Sequence, residues 1–112
     1  MKDYCLKPAR SVAGIVTVPG DKSISHRFVI LSSIANGISC ARNILLGEDC
    51  CATIAAFRAM GVSIDLFNEM CTIEGVGKYG LRAPQEELCL GNSGTSMRLL
   101  TGLLAGQDFD VT

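Results

Sequence analysis

The sequence predicts a mixed α/β fold with helices packed on a sheet, and three observations carry that expectation. Apolar residues recur at helical spacing in three segments, short stretches between them alternate apolar and polar residues, and Gly, Pro and Asn mark the joins. The predicted order is β-α-β-α-β-β, followed by the start of another β-α-β.

Each element has its own justification. "GIVTV" (Gly14–Val18) alternates as a strand does, and Pro19–Gly20 ends it. Ile24, Phe28, Leu31 and Ala35 then fall at i, i+4, i+7 and i+11, one face of a first helix, with Asn36–Gly37 as its stop. "ISCARNILL" predicts a strand, and Cys50, Ile54, Phe57 and Met60 mark a second helix closed by Gly61. "VSIDLF" and "MCTIEG" predict two strands paired through Asn68–Glu69, which is not an ideal hairpin dipeptide. "LCL" reads as a short strand. "GNSG" opens a third helix with Met97, Leu100 and Leu104 on one face, and "FDVT" reads as a last strand. Nothing reads as a flexible linker.

Composition narrows the function. The chain has 112 residues, 10 Lys+Arg against 11 Asp+Glu, and a net charge of −1. Nucleic acid or an anionic membrane surface would ask for a basic excess, so neither is expected as a partner. Apolar runs such as "FVIL" are far too short for a membrane span, and the first residues lack the apolar core of a signal peptide. A soluble cytoplasmic protein is the expectation. The six cysteines include no C-x-x-C pair and accompany a single His, so they read as small apolar fillers with reduced thiols.

The chemistry concentrates at two helix starts. The first turn of a helix exposes free N–H groups and partial positive charge, and favours acids. "GEDCC" obeys that rule with Glu48 and Asp49, but "PGDKSISHR" places Lys22 and Arg27 at the first helix start, and "GNSGTSMR" places Arg98 at the third. The two segments echo one another: Ser25 and Arg27 fall on Ser96 and Arg98 at an offset of 71 residues. An anionic ligand turns the unfavourable placement into a favourable one, because N–H groups, Ser hydroxyls and cations all face it. Two other readings stand beside it. Ser23 and Ser25 can be helix caps with Asp21 pairing Lys22 or Arg27, and Arg98 can be a solvated charge. A nucleotide-binding P-loop is excluded because no Gly directly precedes Lys22. His26, without carboxylate or Cys partners in view, reads as a packing or hydrogen-bonding residue rather than a catalytic base.

At these segments the chain resembles the 5-enolpyruvylshikimate-3-phosphate (EPSP) synthase family. "VPGDKSISHR" is similar to that family's substrate-binding signature and "LGNSGTSMRLLTGLLAG" to its glycine-rich segment, with "NILLGEDCCATIAAFRAMGVSI" between them. The resemblance implies an inside-out α/β barrel built from repeated βαβαββ units, of which only the N-terminal part is present. Residues 1–19 would be a first-strand region packing with the other domain, and residues 20–112 one βαβαββ unit plus the start of the next. It implies transfer of the enolpyruvyl group of phosphoenolpyruvate to the 5-hydroxyl of shikimate 3-phosphate, in the pathway to aromatic amino acids, with phosphate released and no metal or organic cofactor. Glyphosate is the family's inhibitor.

By motif position, Lys22 would meet both substrates and take part in proton handling. Ser23 and Arg27 would bind shikimate 3-phosphate, Gly94 would lie against phosphoenolpyruvate, and Asn92, Thr95 and Arg98 would shape that wall. Lys suits the chemistry because its pKa responds to its surroundings, and Arg suits fixed recognition of an oxyanion. Family members are several times longer, so this chain carries part of a site and is expected to show no turnover without the remainder of the enzyme. The related UDP-N-acetylglucosamine enolpyruvyl transferases have Lys-Asn where this chain has Lys22–Ser23 and lack the "SISHR" continuation. A non-catalytic anion-binding module is the alternative from a different class.

Overall fold

A computed structural model describes residues 2–112. The elements are α1 (Lys22–Ile34), β1 (Asn36–Arg42), α2 (Glu48–Ala59), β2 (Ser63–Phe67), β3 (Met70–Val76) and α3 (Gly94–Leu104). β1 and β2 both pair antiparallel with β3, giving the spatial order β1-β3-β2. Directly opposed residues share a sheet face. Ala41, Cys71 and Leu66 therefore lie on one face with Ser39, Ile73 and Ile64. That face is covered by helices, α1 on β3 and β1 and α2 on β2, while α3 touches α1 and α2 rather than the sheet.

The second helix forms as its spacing predicts. Cys50, Ile54, Phe57 and Met60 are all buried, and Glu48 and Asp49 sit in its first turn. At its far end Arg58 donates from Nε (3.1 Å) and Nη2 (2.6 Å) to the carbonyl of Ile64, tying the helix to β2. The hairpin forms through Asn68 and Glu69, at φ 48° and 62°, the left-handed pair that a two-residue turn requires.

The first helix turns a different face inward from the one its apolar spacing suggests. Ile24 and Leu31 are exposed, whereas Ser25, His26, Val29, Ile30, Ser32 and Ser33 are buried. The reason is close approach. A Cβ on Gly75 of β3 would fall on the carbonyl oxygens of Ser32 and Ala35, so at the end of α1 only small side chains such as Ser32 and Ser33 fit against the sheet. The buried hydroxyls are satisfied within the helix: Ser33 Oγ donates to the Val29 carbonyl at 2.6 Å. On α3, Leu100 is buried as expected, but Met97 is exposed.

Three expected strands do not form. Gly14–Val18 pairs with no neighbour, since neither β1 nor β2 receives it on its free edge; Asn43 Nδ2 donating to the Val18 carbonyl at 2.9 Å anchors its end. "LCL" and "FDVT" meet through one backbone bond, Leu88 N–H to the Thr112 carbonyl at 2.8 Å, without a ladder. The strand expected over "ISCARNILL" begins earlier, at Asn36, and stops at Arg42, because Asn43 turns the chain with φ 58°. Asn36–Gly37 therefore opens β1 rather than merely stopping α1.

Candidate functional site

The site begins at the entry to α1. Gly20 packs on the backbone of the β1–α2 loop: a Cβ there would meet the Asn43 carbonyl oxygen and sit 2.9 Å from Leu45 N. Ser25 completes this joint. Its hydroxyl donates to the Asp21 carbonyl at 2.7 Å and accepts from Leu45 N–H at 2.8 Å. The cap of α1 is Asp21, whose carboxylate accepts from Ile24 N–H at 2.8 Å. Ser23 and Ser25 are not caps, and Asp21 pairs with neither Lys22 nor Arg27. A carboxylate just outside the first turn meets the dipole's preference for an acid, which leaves the cations of the turn to face outward.

Lys22 projects from this turn and forms an ion pair with Asp49, in the first turn of α2. The two lie in a cleft of about 310 Å³ lined also by Leu45, Gly47, Glu48 and Cys50. Asp49 is a functional candidate that the sequence does not single out, because an acid at a helix start is ordinary. Arg27 is exposed, and its Nη1 donates to the Ser23 carbonyl at 3.1 Å. Ser23 itself is exposed on the same turn.

The start of α3 is built similarly. Ser93 caps it, its Oγ accepting from Ser96 N–H at 3.1 Å. Arg98 folds back over Gly94, so that a Cβ on Gly94 would lie 2.7 Å from Arg98 Nη1. Asn92 is exposed and Thr95 half-buried. The sequence echo is thus a structural one: α1 opens at Lys22 and α3 at Gly94, within one residue of the 71-residue offset, and Ser25 and Ser96 are both buried. The structure joins Lys22 to Asp49, Arg27 to Ser23 and Arg98 to Gly94. A larger hollow of about 370 Å³, lined by Leu88, Met97, Leu100 and Phe109 among others, contains none of the site residues expected from the sequence.

Titration separates the reactive surface from the core. Burial pushes the Cys50 thiol up to about 11, with Cys51 and Cys71 adding to it, and burial likewise raises Cys71. Both stay protonated fillers. His26 is fully buried and its pKa is lowered, chiefly by burial. Its Nδ1 lies 2.9 Å from Thr53 Oγ1, as befits a hydrogen-bonding residue. No helix among the described residues is long and apolar enough to cross a membrane.

Comparison with known proteins matches the sequence and the fold to a family. The family model for EPSP synthase (3-phosphoshikimate 1-carboxyvinyltransferase) matches residues 6–112. The 3-phosphoshikimate 1-carboxyvinyltransferase of Citrifermentans bemidjiense is 58% identical over 109 residues, 97% of this chain and 25% of that protein. The enzyme of the same name from Legionella pneumophila is 54% identical over 111 residues, 98% of this chain and 26% of that protein. The solved EPSP synthase from Acinetobacter baumannii superposes with a TM-score of 0.83 at 55% identity, covering 88% of this chain and 22% of that one. The chain spans about a quarter of the length of the curated relatives it matches. Its α/β fold is a piece of the inside-out architecture of those enzymes. From residue 6 to residue 112, this chain belongs to the EPSP synthase family.

Proposed function

We propose that this chain forms part of an enzyme that transfers the enolpyruvyl group of phosphoenolpyruvate to the 5-hydroxyl of shikimate 3-phosphate, releasing phosphate, in the cytoplasm. The observation that carries the reading is Lys22, held in a cleft at a helix start by the carboxylate of Asp49. Addition of a hydroxyl across an enol double bond, followed by loss of phosphate, needs a proton delivered and a proton removed beside several negative charges. An ammonium paired with a carboxylate is a proton carrier with a ready counter-charge, and phosphate oxygens compete with Asp49 for it.

In this reading Ser23 and Arg27 bind shikimate 3-phosphate. Gly94 and Arg98 face phosphoenolpyruvate, with Asn92 and Thr95 completing that wall. The close fit of Arg98 over Gly94 supports it: glycine lets the guanidinium lie against the backbone where an oxyanion would sit. Residues 1–19 pack against the rest of the enzyme, a reading supported by the exposure of Val12, Ile15 and Val16, each more than four-fifths accessible. No cofactor takes part.

The test is phosphate release from the two substrates. The 112-residue chain alone shows none. Joined in frame to the remaining three quarters of the Citrifermentans bemidjiense relative, it regains turnover. In that joined enzyme Lys22→Ala and Arg27→Ala each weaken shikimate 3-phosphate binding by about 1.5–3 kcal/mol, the range for hydrogen bonds to charged groups. Unchanged affinity in both variants sinks the assignment.

A further inference from the structure

Four polar side chains given no ligand above meet in the interior between the three helices. His26 Nδ1 on α1 lies 2.9 Å from Thr53 Oγ1 on α2, and Thr53 Oγ1 lies 2.5 Å from Ser96 Oγ on α3. Ser93 Oγ donates to Ser96 Oγ at 2.8 Å and accepts from Ser96 N–H at 3.1 Å. His26, Thr53 and Ser96 have no exposed surface, and Ser93 is 5% exposed. Buried polar groups in such a string are held only while each is satisfied, so they fix distances that apolar packing leaves adjustable.

The protons can be assigned. Ser93 donates to Ser96, Ser96 donates to Thr53, and the Thr53 hydroxyl proton goes to the Asp49 carbonyl at 3.3 Å. Thr53 then has a lone pair for a proton on His26 Nδ1. The reverse assignment would put the proton on Nε2, which has no partner among the described residues. A buried N–H without an acceptor is the rarer and costlier defect. His26 is therefore neutral and protonated on Nδ1.

α3 has less fully buried surface than its neighbours, its Leu99, Leu103 and Leu104 packing half-buried against the core. Only two of its residues are buried, Ser96 and Leu100, whereas α1 and α2 bury six and five. We propose that His26, Thr53, Ser96 and Ser93 are positioning residues that fix the start of α3 against the start of α1, holding Gly94 and Arg98 in register with Lys22 and Arg27. The proposal rests on the enolpyruvyl-transfer reading, because its consequence is the alignment of two halves of that site. It also gives α2 a second task, since the residue that relays the contact, Thr53, lies one turn beyond Asp49.

Thr53→Val in the joined enzyme keeps the side chain's shape and deletes the hydroxyl; Thr53→Ser restores it. Misplacing a positioned group by a fraction of an ångström to an ångström costs about 10- to 100-fold in rate. Thr53→Val therefore lowers kcat/KM for phosphoenolpyruvate by at least ~10-fold at a temperature where the enzyme is fully folded, and Thr53→Ser stays within about threefold of the parent. A Thr53→Val enzyme that melts earlier but keeps kcat/KM within threefold assigns these residues to stability alone and overturns the proposal. Nitrogen-15 NMR of the 112-residue chain, where His26 is the sole histidine, reads the string independently of activity. A neutral imidazole protonated on Nδ1 is expected at pH 7.5; an imidazolium or an Nε2-protonated ring overturns the proton assignment. If the joined parent transfers no enolpyruvyl group, the proposed function falls, while the NMR still decides whether the string exists.

Discussion

Gly20→Ala tests how the first helix start is held. The added Cβ would meet the Asn43 carbonyl oxygen, sit 2.9 Å from Leu45 N and 3.1 Å from the Ile44 carbonyl carbon. All three are backbone atoms, so no side chain can swing aside and the β1–α2 loop itself must retreat. Two hydrogen bonds cross that joint: Leu45 N–H to Ser25 Oγ at 2.8 Å, and Asn43 Nδ2 to the Val18 carbonyl at 2.9 Å. At about 0.5–1.5 kcal/mol each, their loss destabilises the fold by about 1–3 kcal/mol. Gly102→Ala is the matched control. Gly102 lies inside α3, and a Cβ there meets nothing within 4 Å, so the change stabilises by about 0.5–1 kcal/mol through helix propensity. Urea denaturation followed by circular dichroism gives both values. A Gly20→Ala protein as stable as its parent would show that the loop yields freely and that Gly20 does not seat α1.

Three further outcomes follow from features already described. Glu69 holds a left-handed backbone at φ 62°, so Glu69→Gly stabilises the hairpin by about 0.5–1 kcal/mol, read as a higher urea midpoint with an unchanged slope. Burial lowers the His26 pKa from its ordinary 6.5; Asp49 of α2 opposes this, Lys22 and Arg27 of α1 add to it, and the Ser93 and Ser96 hydroxyls are uncharged. Below 6.5 the unfolded chain binds more protons than the folded one, so this contribution to stability is complete above that pH and is lost as pH falls through the window beneath it. His26→Asn flattens that part of the stability profile; equal slopes in parent and variant between about pH 5 and pH 7.5 count against it. Finally, thiol titration of the native chain finds four fast cysteines, Cys5, Cys40, Cys51 and Cys89, with Cys50 and Cys71 reacting only on denaturation.

The parts of the fold that could be read from the sequence are those whose partners are near in the chain. The stripe Cys50, Ile54, Phe57 and Met60 named the buried face of α2 correctly because that helix packs by ordinary apolar burial. The hairpin from Ser63 to Val76 was equally plain, since both strands lie beside their turn. α1 deceived the same reasoning. The end of its inner face is drawn by Gly75, forty residues on, and a surface that close rewards serine over leucine there. Alternation in "GIVTV" described a strand's propensity, but propensity cannot supply an edge to pair with. In the candidate site, Lys22, Arg27 and Arg98 stand out because they break the helix-dipole preference, whereas Gly94 enters only through the family resemblance. Asp49 does not stand out, because it obeys that preference. Ser96 showed only as half of the 71-residue echo with Ser25, and Thr53 carried no signal at all: a hydroxyl inside a helix gains meaning only from what two other helices bring to it.

The order β1-β3-β2 places the last strand made in the middle of the sheet. β1 and β2 never touch, so neither has a hydrogen-bonded neighbour while the chain is being synthesised until Met70–Val76 has emerged. Until then the growing polypeptide holds two open strand edges and an unroofed α1, the state most exposed to wrong pairing. The arrival of seven residues gives both strands their partner at once. Synthesis of this segment therefore has one commitment point, the emergence of Met70–Val76, before which neither outer strand has a partner.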